Sequence, residues 1–211
     1  MKNLLIIGAG GCGREALQWA KDINNKTPKW NIKGFIDDDL TVLNGLRCEF
    51  EILSTINDYF ITPNDEFICC IGNSNIRESV IKRMKDNGAK FTNLIHPTAI
   101  VAESSKIGEA VILYPFSLVS DNAEIGDGCI INMYSSIAHD SVLDRYCTIS
   151  AHCDVTGMCK LGKRVFMGST ANMVPGVHIG DDVFICAGST VMSNIKNQSK
   201  IFGTPARKVA F

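Results

Sequence analysis

From residue 101 onward, aliphatic side chains recur at every sixth position. The series is Val101, Ile107, Leu113, Val119, Ile125, Ile131, Ile137, Leu143, Ile149, Val155, Leu161, Met167, Met173, Ile179, Ile185 and Val191. Helices repeat apolar positions about every 3.6 residues and strands every 2, so neither produces this period over such a length. A fixed period of six is typical of a hexapeptide solenoid, whose repeats stack into a parallel β-helix.

A second position repeats in the same register, four residues after each aliphatic one. Almost all its members are small or compact: Ser105, Val111, Ser117, Ala123, Cys129, Ser135, Ser141, Cys147, Cys153, Cys159, Val165, Ala171, Val177, Val183, Ser189 and Ile195. We expect the aliphatic residue to fill the interior and the compact one to pack where the chain turns between faces. Three hexads make one coil, so the series predicts a little over five coils.

The first half of the chain follows a different pattern. Short apolar runs predict strands in NLLIIG, IKGFIDDD, EFICCIG and FTNLIHP, and helical spacing appears in GREALQWAKDI and NIRESVIKRMKDNG. Strands that alternate with helices indicate a parallel sheet covered by helices. The sequence therefore predicts an α/β plus all-β protein: a small Rossmann-like βαβ domain over residues 1–97, then a parallel β-helix with a C-terminal cap over 98–211.

The first strand runs into Gly8-x-Gly10-x-x-Gly13, the spacing that opens many dinucleotide-binding domains. Such a loop can place backbone N–H groups around a phosphate at a helix N-terminus. One hypothesis is therefore a redox enzyme that binds NAD or FAD. It is disfavoured because the first domain is short and leaves no separate catalytic domain for hydride transfer.

Composition narrows the choice of partners and compartment. The formal charge of −1 offers no broad basic field for nucleic acid or an anionic membrane, and no run of about 18 apolar residues predicts a membrane span. Nine cysteines, an odd number, with no export signal indicate reduced thiols in a cytoplasmic protein. Four of them, Cys129, Cys147, Cys153 and Cys159, fall at the compact position, where packing is expected rather than metal binding.

Candidate chemistry centres on one of the four histidines. His96, His139, His152 and His178 occupy different hexad places or domains, so no metal site is expected. His139 stands at an outward or corner position and is followed by Asp140, which can orient the imidazole as a general base. The alternative is an exposed surface histidine without a chemical role.

These features together resemble a known family. The Gly-rich βαβ domain, GFIDDD, IGN, LIHPTA, the solenoid with HD inside it and the terminal GTPARKV resemble the NeuD/PglD-type sugar acetyltransferases over essentially the whole chain. The resemblance implies a left-handed β-helix, a homotrimer with active sites between neighbouring solenoids, acetyl-CoA as co-substrate and a nucleotide-linked amino sugar as acceptor.

The resemblance assigns roles to individual residues. His139 would be the general base and Asp140 its partner. Acetyl-CoA contacts are implied for Gly157, Ser169 and Ala187. Contacts with the nucleotide sugar are implied for Gly10, Gly11, Cys12, Asp37, Asp38 and Gly72.

Two positions depart from the family pattern and leave the acceptor open. Cys12 and Thr148 stand where the bacillosamine enzymes carry histidines. The leading hypothesis is N-acetylation of a UDP-4-amino-4,6-dideoxy-sugar type of acceptor for bacterial glycan biosynthesis. The alternatives are O-acetylation, as in the sialic acid branch, and a protein that binds a nucleotide sugar without catalysis.

Overall fold

The computed structural model describes residues 1–209, so the last two residues of the predicted cap, Ala210 and Phe211, lie outside the described part. The chain divides into two compact units, Met1–Pro97 and Thr98–Phe211. No helix within the described residues is long and apolar enough to cross a membrane.

The first unit is a four-stranded parallel sheet with two helices. The sheet order is β3-β2-β1-β4. The elements are β1 (Lys2–Ile7), α1 (Gly11–Lys26), β2 (Trp30–Ile36), β3 (Ile52–Ser54), β4 (Asp65–Cys69), α2 (Ser74–Asp86) and β5 (Leu94–Ile95). This confirms the predicted helices and the first three predicted strands. The fourth, FTNLIHP, contains only the two-residue strand β5, which is not part of the four-stranded sheet; the sheet instead includes β3, a short strand with no fully buried residue.

The turn from β1 into α1 depends on two glycines. Gly8 has φ +92°, a left-handed conformation that favours glycine. A Cβ on Gly13 would lie 1.9 Å from the carbonyl oxygen of Gly8, so only glycine lets the first turn of α1 pack this closely on the loop. The sequence motif is therefore a structural requirement at these two positions.

The second unit is the predicted parallel β-helix. Sixteen two-residue strands run through it, and the second residue of each is the aliphatic residue of the six-residue series. They are β6 (Ile100–Val101), β7 (Lys106–Ile107), β8 (Ile112–Leu113), β9 (Leu118–Val119), β10 (Glu124–Ile125), β11 (Ile130–Ile131), β12 (Ser136–Ile137), β13 (Val142–Leu143), β14 (Thr148–Ile149), β15 (Asp154–Val155), β16 (Lys160–Leu161), β17 (Phe166–Met167), β18 (Asn172–Met173), β19 (His178–Ile179), β20 (Phe184–Ile185) and β21 (Thr190–Val191).

Successive strands alternate among three sheets, and each strand pairs with the one 18 residues away. Sheet I holds β6, β9, β12, β15, β18 and β21, and sheet II holds β7, β10, β13, β16 and β19. Sheet III holds β8, β11, β14, β17 and β20, followed by β22 (Lys200–Phe202), with β23 (Arg207–Lys208) antiparallel to β22. We call the turns that join two sheets edges, so that edge I–II carries the chain from sheet I to sheet II.

The compact residues stabilise the interior through repeated hydrogen bonds. The Cys129 thiol donates to the Asp144 carbonyl at 3.2 Å, and the Ser141 hydroxyl donates to the Thr156 carbonyl at 2.9 Å. Ser141 Oγ also accepts the N–H of Cys159 at 3.1 Å. All four cysteines at compact positions are buried and free, which confirms that they pack in the core.

The edges have a recurring left-handed turn. From residue 110 to 188, every sixth residue has a positive φ, and most of them are not glycine. This conformation costs a non-glycine residue about 1–2 kcal/mol of free energy. The turn persists because its N–H donates to a carbonyl of the preceding coil, as Asp140 does to Asp121 at 3.0 Å. Edges are thus rigid positions for exposed side chains.

Candidate active site

His139 and Asp140 occupy one turn of edge I–II, between β12 and β13. Asp140 is in the left-handed conformation, with φ 59°. The carbonyl of His139 accepts the N–H of Met158, one coil further on, at 2.9 Å. Both residues are therefore held through their backbones on two neighbouring coils, while their side chains remain about half exposed (56% and 51%).

The two side chains form the pair that the sequence predicts. His139 Nδ1 lies 2.8 Å from Asp140 Oδ2. Because a carboxylate can only accept at neutral pH, the proton in this bond resides on Nδ1. The other ring nitrogen, Nε2, then carries a lone pair and can accept a proton.

Gly157 lies directly against the His139 ring, one coil away on the same edge. A Cβ at residue 157 would stand 2.5 Å from His139 Nε2 and 2.6 Å from Cε1. Real Cβ atoms do not approach other atoms this closely, so the ring would have to move. The sequence analysis did not anticipate this contact. Residues 139 and 157 are 18 positions apart, which is one full coil, and this offset is the signal that could have revealed it.

Ser169 and Ala187 lie on a different edge of the same solenoid. They follow β17 and β20 on edge III–I, one coil apart, and the carbonyl of Ser169 accepts the N–H of Gly188 at 3.0 Å. The structure therefore brings Gly157 to His139 and brings Ser169 to Ala187. Within a single chain it does not bring these two pairs together.

Edge III–I also carries a ladder of stacked rings. Phe116, Tyr134 and His152 stack on successive coils with centroids 5.1 Å apart at each step. Phe116 and Tyr134 are each 53% exposed. On the next two coils the equivalent residues are Thr170 and Gly188. The side chains of this edge therefore change from large rings to small groups beside Ser169 and Ala187.

In the first unit, most of the predicted nucleotide-sugar residues meet at one cleft. Its volume is about 360 Å³, and it lies at the carboxyl ends of the parallel strands. Gly10, Asp37, Asp38 and Gly72 line it, together with apolar residues that include Ile56 and Ile71. Clefts of this size hold small-molecule ligands. Gly11 and Cys12 belong to the first turn of α1 and do not line it.

The start of α1 borders this cleft, because Gly10 lines it. Gly10 is its N-cap, and no side chain caps the helix. No atom lies within 4 Å of where a Cβ of Gly10 or Gly11 would stand. There is therefore open space beside Gly10 and Gly11 at this helix start, and a helix N-terminus with such space can accept a phosphate.

The two predicted aspartates are held differently. Asp37 Oδ2 accepts the N–H of Ala9 at 2.7 Å, and its Oδ1 accepts that of Asp39 at 2.9 Å. Asp37 thus ties the glycine loop to the end of β2. Asp38 is exposed and uses Oδ1 for the N–H of Ile56 at 2.9 Å, so of the two it is better placed to meet a ligand.

Sequence reasoning missed two groups beside this cleft. Arg77 is fully buried, and its guanidinium donates to the carbonyls of Ile71 and Gly72 at 2.8 and 3.2 Å. Its place on the buried stripe of α2, with Val80 and Met84, is a signal that could have revealed it. The second group is Cys70, a buried residue that lines the cleft.

The thiols here are strongly perturbed. The hydrogen bond with Cys12, together with burial, raises the pKa of Cys70 well above its usual value. Burial raises the pKa of Cys69 to about 12. Both are neutral thiols at physiological pH.

The other three histidines, and Thr148, the second position that departs from the family pattern, lie away from the His139–Asp140 pair. His152 belongs to the ring ladder, His178 is exposed on sheet II, and His96 Nε2 lies 3.3 Å from Asp22 Oδ2 in the first unit. Among residues 1–209, no three His, Cys, Asp or Glu side chains are grouped to hold a metal ion. Thr148 is nearly buried in β14.

Comparison with known proteins agrees with the two-part architecture. Residues 3–84 match the family model of the PglD N-terminal domain, and residues 159–193 match that of the hexapeptide repeat of succinyl-transferase. A curated relative, the UDP-N-acetylbacillosamine N-acetyltransferase of Bacillus subtilis, is 26% identical over 117 residues, or 54% of this chain. The match spans about half the length of that relative (51%).

Solved structures match over nearly the whole chain. The acetyltransferase domain of PglB from Neisseria gonorrhoeae, in complex with acetyl coenzyme A, is 26% identical with a TM-score of 0.89, and 99% of each chain is covered. PerB from Caulobacter crescentus, in complex with CoA and GDP-perosamine, shares the fold at 24% identity with a TM-score of 0.88, covering 100% of this chain and 98% of PerB. These matches confirm the resemblance to the PglD-type sugar acetyltransferases and the predicted fold class.

Proposed function

We propose that this chain transfers the acetyl group of acetyl-CoA to an amine of a nucleotide-linked amino sugar, of the UDP-4-amino-4,6-dideoxy type, for bacterial glycan biosynthesis. The observation that carries the proposal is the His139–Asp140 pair at edge I–II, against which Gly157 packs without a side chain. The relatives support the class of reaction. The PglB domain is bound to acetyl coenzyme A, and the curated relative is a nucleotide-sugar N-acetyltransferase by name.

The pair supports a simple mechanism. His139 Nε2 takes a proton from the amine as its nitrogen forms a bond to the thioester carbonyl carbon. The C–S bond then breaks, and the imidazolium returns the proton to the departing CoA sulfur. Asp140 holds the ring through Nδ1 and stabilises the imidazolium, so the amine becomes an amide and acetyl-CoA becomes CoA.

The separation of Gly157 from Ser169 and Ala187 favours a shared acetyl-CoA site. We infer a homotrimer in which edge I–II of one copy faces edge III–I of the next. Acetyl-CoA then lies in the groove between the two copies and contacts both sets of residues. The exposed rings of Phe116 and Tyr134 supply apolar surface for such an association.

The cleft of the first unit is our candidate site for the nucleotide. A phosphate would accept hydrogen bonds from the N–H groups of Gly11 and Cys12, next to Gly10. Asp38 would accept hydrogen bonds from the ribose or base, with Gly72 at the rim, and Asp37 would act by holding the loop. Because the cysteines in the described part are free thiols, we infer a cytoplasmic location, where thiols stay reduced.

A panel of acceptors tests the proposal. Purified protein is incubated with acetyl-CoA and, in turn, UDP-, GDP- and dTDP-4-amino sugars and free sialic acid, while CoA release and the acetylated product are measured. We expect turnover with at least one nucleotide amino sugar and none with sialic acid. Turnover confined to sialic acid would instead establish O-acetylation, and binding without CoA release would establish a non-catalytic nucleotide-sugar protein.

A further inference from the structure

Edge I–II carries one residue per coil in line with His139. The equivalent residue is Asp121 one coil before and Gly157 one coil after, because strands pair at an offset of 18 residues. The carbonyl of Asp121 accepts the N–H of Asp140 at 3.0 Å, which joins the two turns directly. Paired strands lie about 4.8 Å apart. Asp121 therefore lies beside the proposed base, on the side opposite to Gly157.

The two sides of His139 receive different substrates in the proposed site. The imidazole lies against Gly157, toward the C-terminal coils. The other two residues proposed to contact acetyl-CoA, Ser169 and Ala187, belong to coils further in the same direction. Acetyl-CoA thus takes the C-terminal side of the base. The acceptor sugar then reaches the thioester from the N-terminal side, where the edge presents Asp121.

The carboxylate of Asp121 is exposed but held in position. Ser104 Oγ donates to Asp121 Oδ1 at 3.1 Å and accepts the N–H of Asn122 at 3.0 Å, so the serine is fixed on both sides. Within residues 1–209, Asp121 Oδ2 has no hydrogen-bond partner. An ionised carboxylate only accepts hydrogen bonds. Oδ2 therefore suits a ligand that donates one from the groove side of the edge.

We propose that Asp121 positions the acceptor by accepting a hydrogen bond from the sugar hydroxyl next to the reacting amine. The proposal rests on the proposed function, because it adds a residue to the same site. In a 4-amino-4,6-dideoxyhexose, the carbon that bears the amine has two neighbours in the ring. C5 carries the methyl group and C3 carries the hydroxyl, so the 3-hydroxyl is the donor adjacent to the amine.

The spacing and the chemistry agree with this role. Two hydrogen bonds of roughly 2.8 Å, one from the amine to His139 Nε2 and one from the hydroxyl to Asp121 Oδ2, bridge side chains on adjacent coils. A hydrogen bond to an ionised carboxylate is about twice as strong as one between neutral groups. Asp121 touches no reacting atom, so it stabilises the bound acceptor and the transition state equally, and its loss should raise KM rather than lower kcat.

The test removes the residue and the hydroxyl separately. Steady-state kinetics are measured on the full chain with the 4-amino-4,6-dideoxyhexose nucleotide preferred in the panel and with its 3-deoxy analogue. For the wild-type protein, the KM of the analogue should be about tenfold higher. Asp121→Asn should raise the KM of the intact acceptor about tenfold and keep kcat within about threefold. This variant should no longer distinguish the two acceptors, and its KM for acetyl-CoA should be unchanged.

Asp127→Asn is the matched control. The Asp127 carboxylate also accepts a hydrogen bond from the preceding coil, the N–H of Glu109 at 2.9 Å, but it lies on edge II–III, so both KM values should stay unchanged. The proposal is overturned if Asp121→Asn keeps the wild-type acceptor KM or still distinguishes the analogue, or if the wild-type protein does not distinguish it; the proposed function then stands. If the wild-type protein acetylates no nucleotide amino sugar, the proposed function fails, and the role of Asp121 fails with it.

Discussion

Replacing Gly157 with Ala is expected to damage catalysis while leaving the fold intact. The new Cβ would stand 2.5 Å from His139 Nε2 and 2.6 Å from Cε1. These atoms are the far end of a half-exposed side chain, so the ring can swing away by roughly 1 Å to restore van der Waals contact. The backbone needs no adjustment, and the cost in stability should stay below about 1 kcal/mol.

The catalytic cost follows from the same displacement. A shift of about 1 Å in a reacting group can lower kcat by roughly 100-fold, or about 2.7 kcal/mol of transition-state stabilisation. Removal of the base in His139→Ala should cost about 10²–10⁴-fold. Gly157→Ala therefore approaches the loss caused by His139→Ala but does not exceed it.

A double-mutant cycle measures this coupling. The kcat for acetylation is determined for wild type, both single variants and Gly157→Ala/His139→Ala, and thermal unfolding is recorded for each. If Gly157 acts through the ring, its substitution has little further effect once His139 is gone. Additive losses in the double variant, or a kcat within about threefold of wild type for Gly157→Ala alone, would refute the reasoning.

Three further predictions concern stability and pH. Ser141→Ala leaves a buried N–H and a carbonyl without their partner, so the free energy of unfolding should fall by about 1–3 kcal/mol in urea titrations; an equal loss in the exposed control Ser193→Ala would contradict this. Gly13→Ala should prevent normal folding of the first unit, because its Cβ would meet a loop carbonyl at 1.9 Å; a native near-UV spectrum and unchanged melting would disprove the packing argument. The hydrogen bond from Arg164 holds the pKa of Asp182 below its usual 3.8, so this pair stabilises the fold above that pH and the contribution is lost as pH falls through the lowered pKa. Asp182→Asn should therefore cost at most about 1 kcal/mol at pH 7 and nothing at low pH, and a penalty that persists in acid would point to packing instead.

The β-helix could be predicted from the sequence because every coil repeats the same pattern of aliphatic and compact residues. Each aliphatic residue of the six-residue series closes a strand, and each compact residue turns inward beside it, so sixteen local patterns agree. The short strand β3 escaped prediction because three residues are too few for a strand pattern to be recognised.

The candidate site was less accessible to sequence reasoning. His139 and Asp140 are adjacent in the chain, so their pairing could be anticipated. The contact between Gly157 and the ring is made between coils and required the repeat length of 18 residues to be applied to a turn. The placement of Ser169 and Ala187 on a separate edge follows from the order of the three sheets.

In the first unit, too, local sequence patterns reveal only part of the candidate site. Gly8 and Gly13 belong to a recognisable motif, and the structure gives each a steric reason. In the sequence, Arg77 is one of several charged residues of α2, and only the structure shows that its side chain is buried.

The central claim is that the chain acetylates a nucleotide-linked amino sugar with His139 as the base. The most direct measurement follows CoA release and acetylated product by mass spectrometry, with acetyl-CoA and the preferred acceptor, for wild type, His139→Ala and the exposed control His178→Ala. We predict product from wild type and His178→Ala, and a loss of about 10²-fold or more in His139→Ala at unchanged thermal stability. The account would be contradicted if His139→Ala turned over at the wild-type rate. It would also be contradicted if the wild-type protein gave no product with any nucleotide amino sugar.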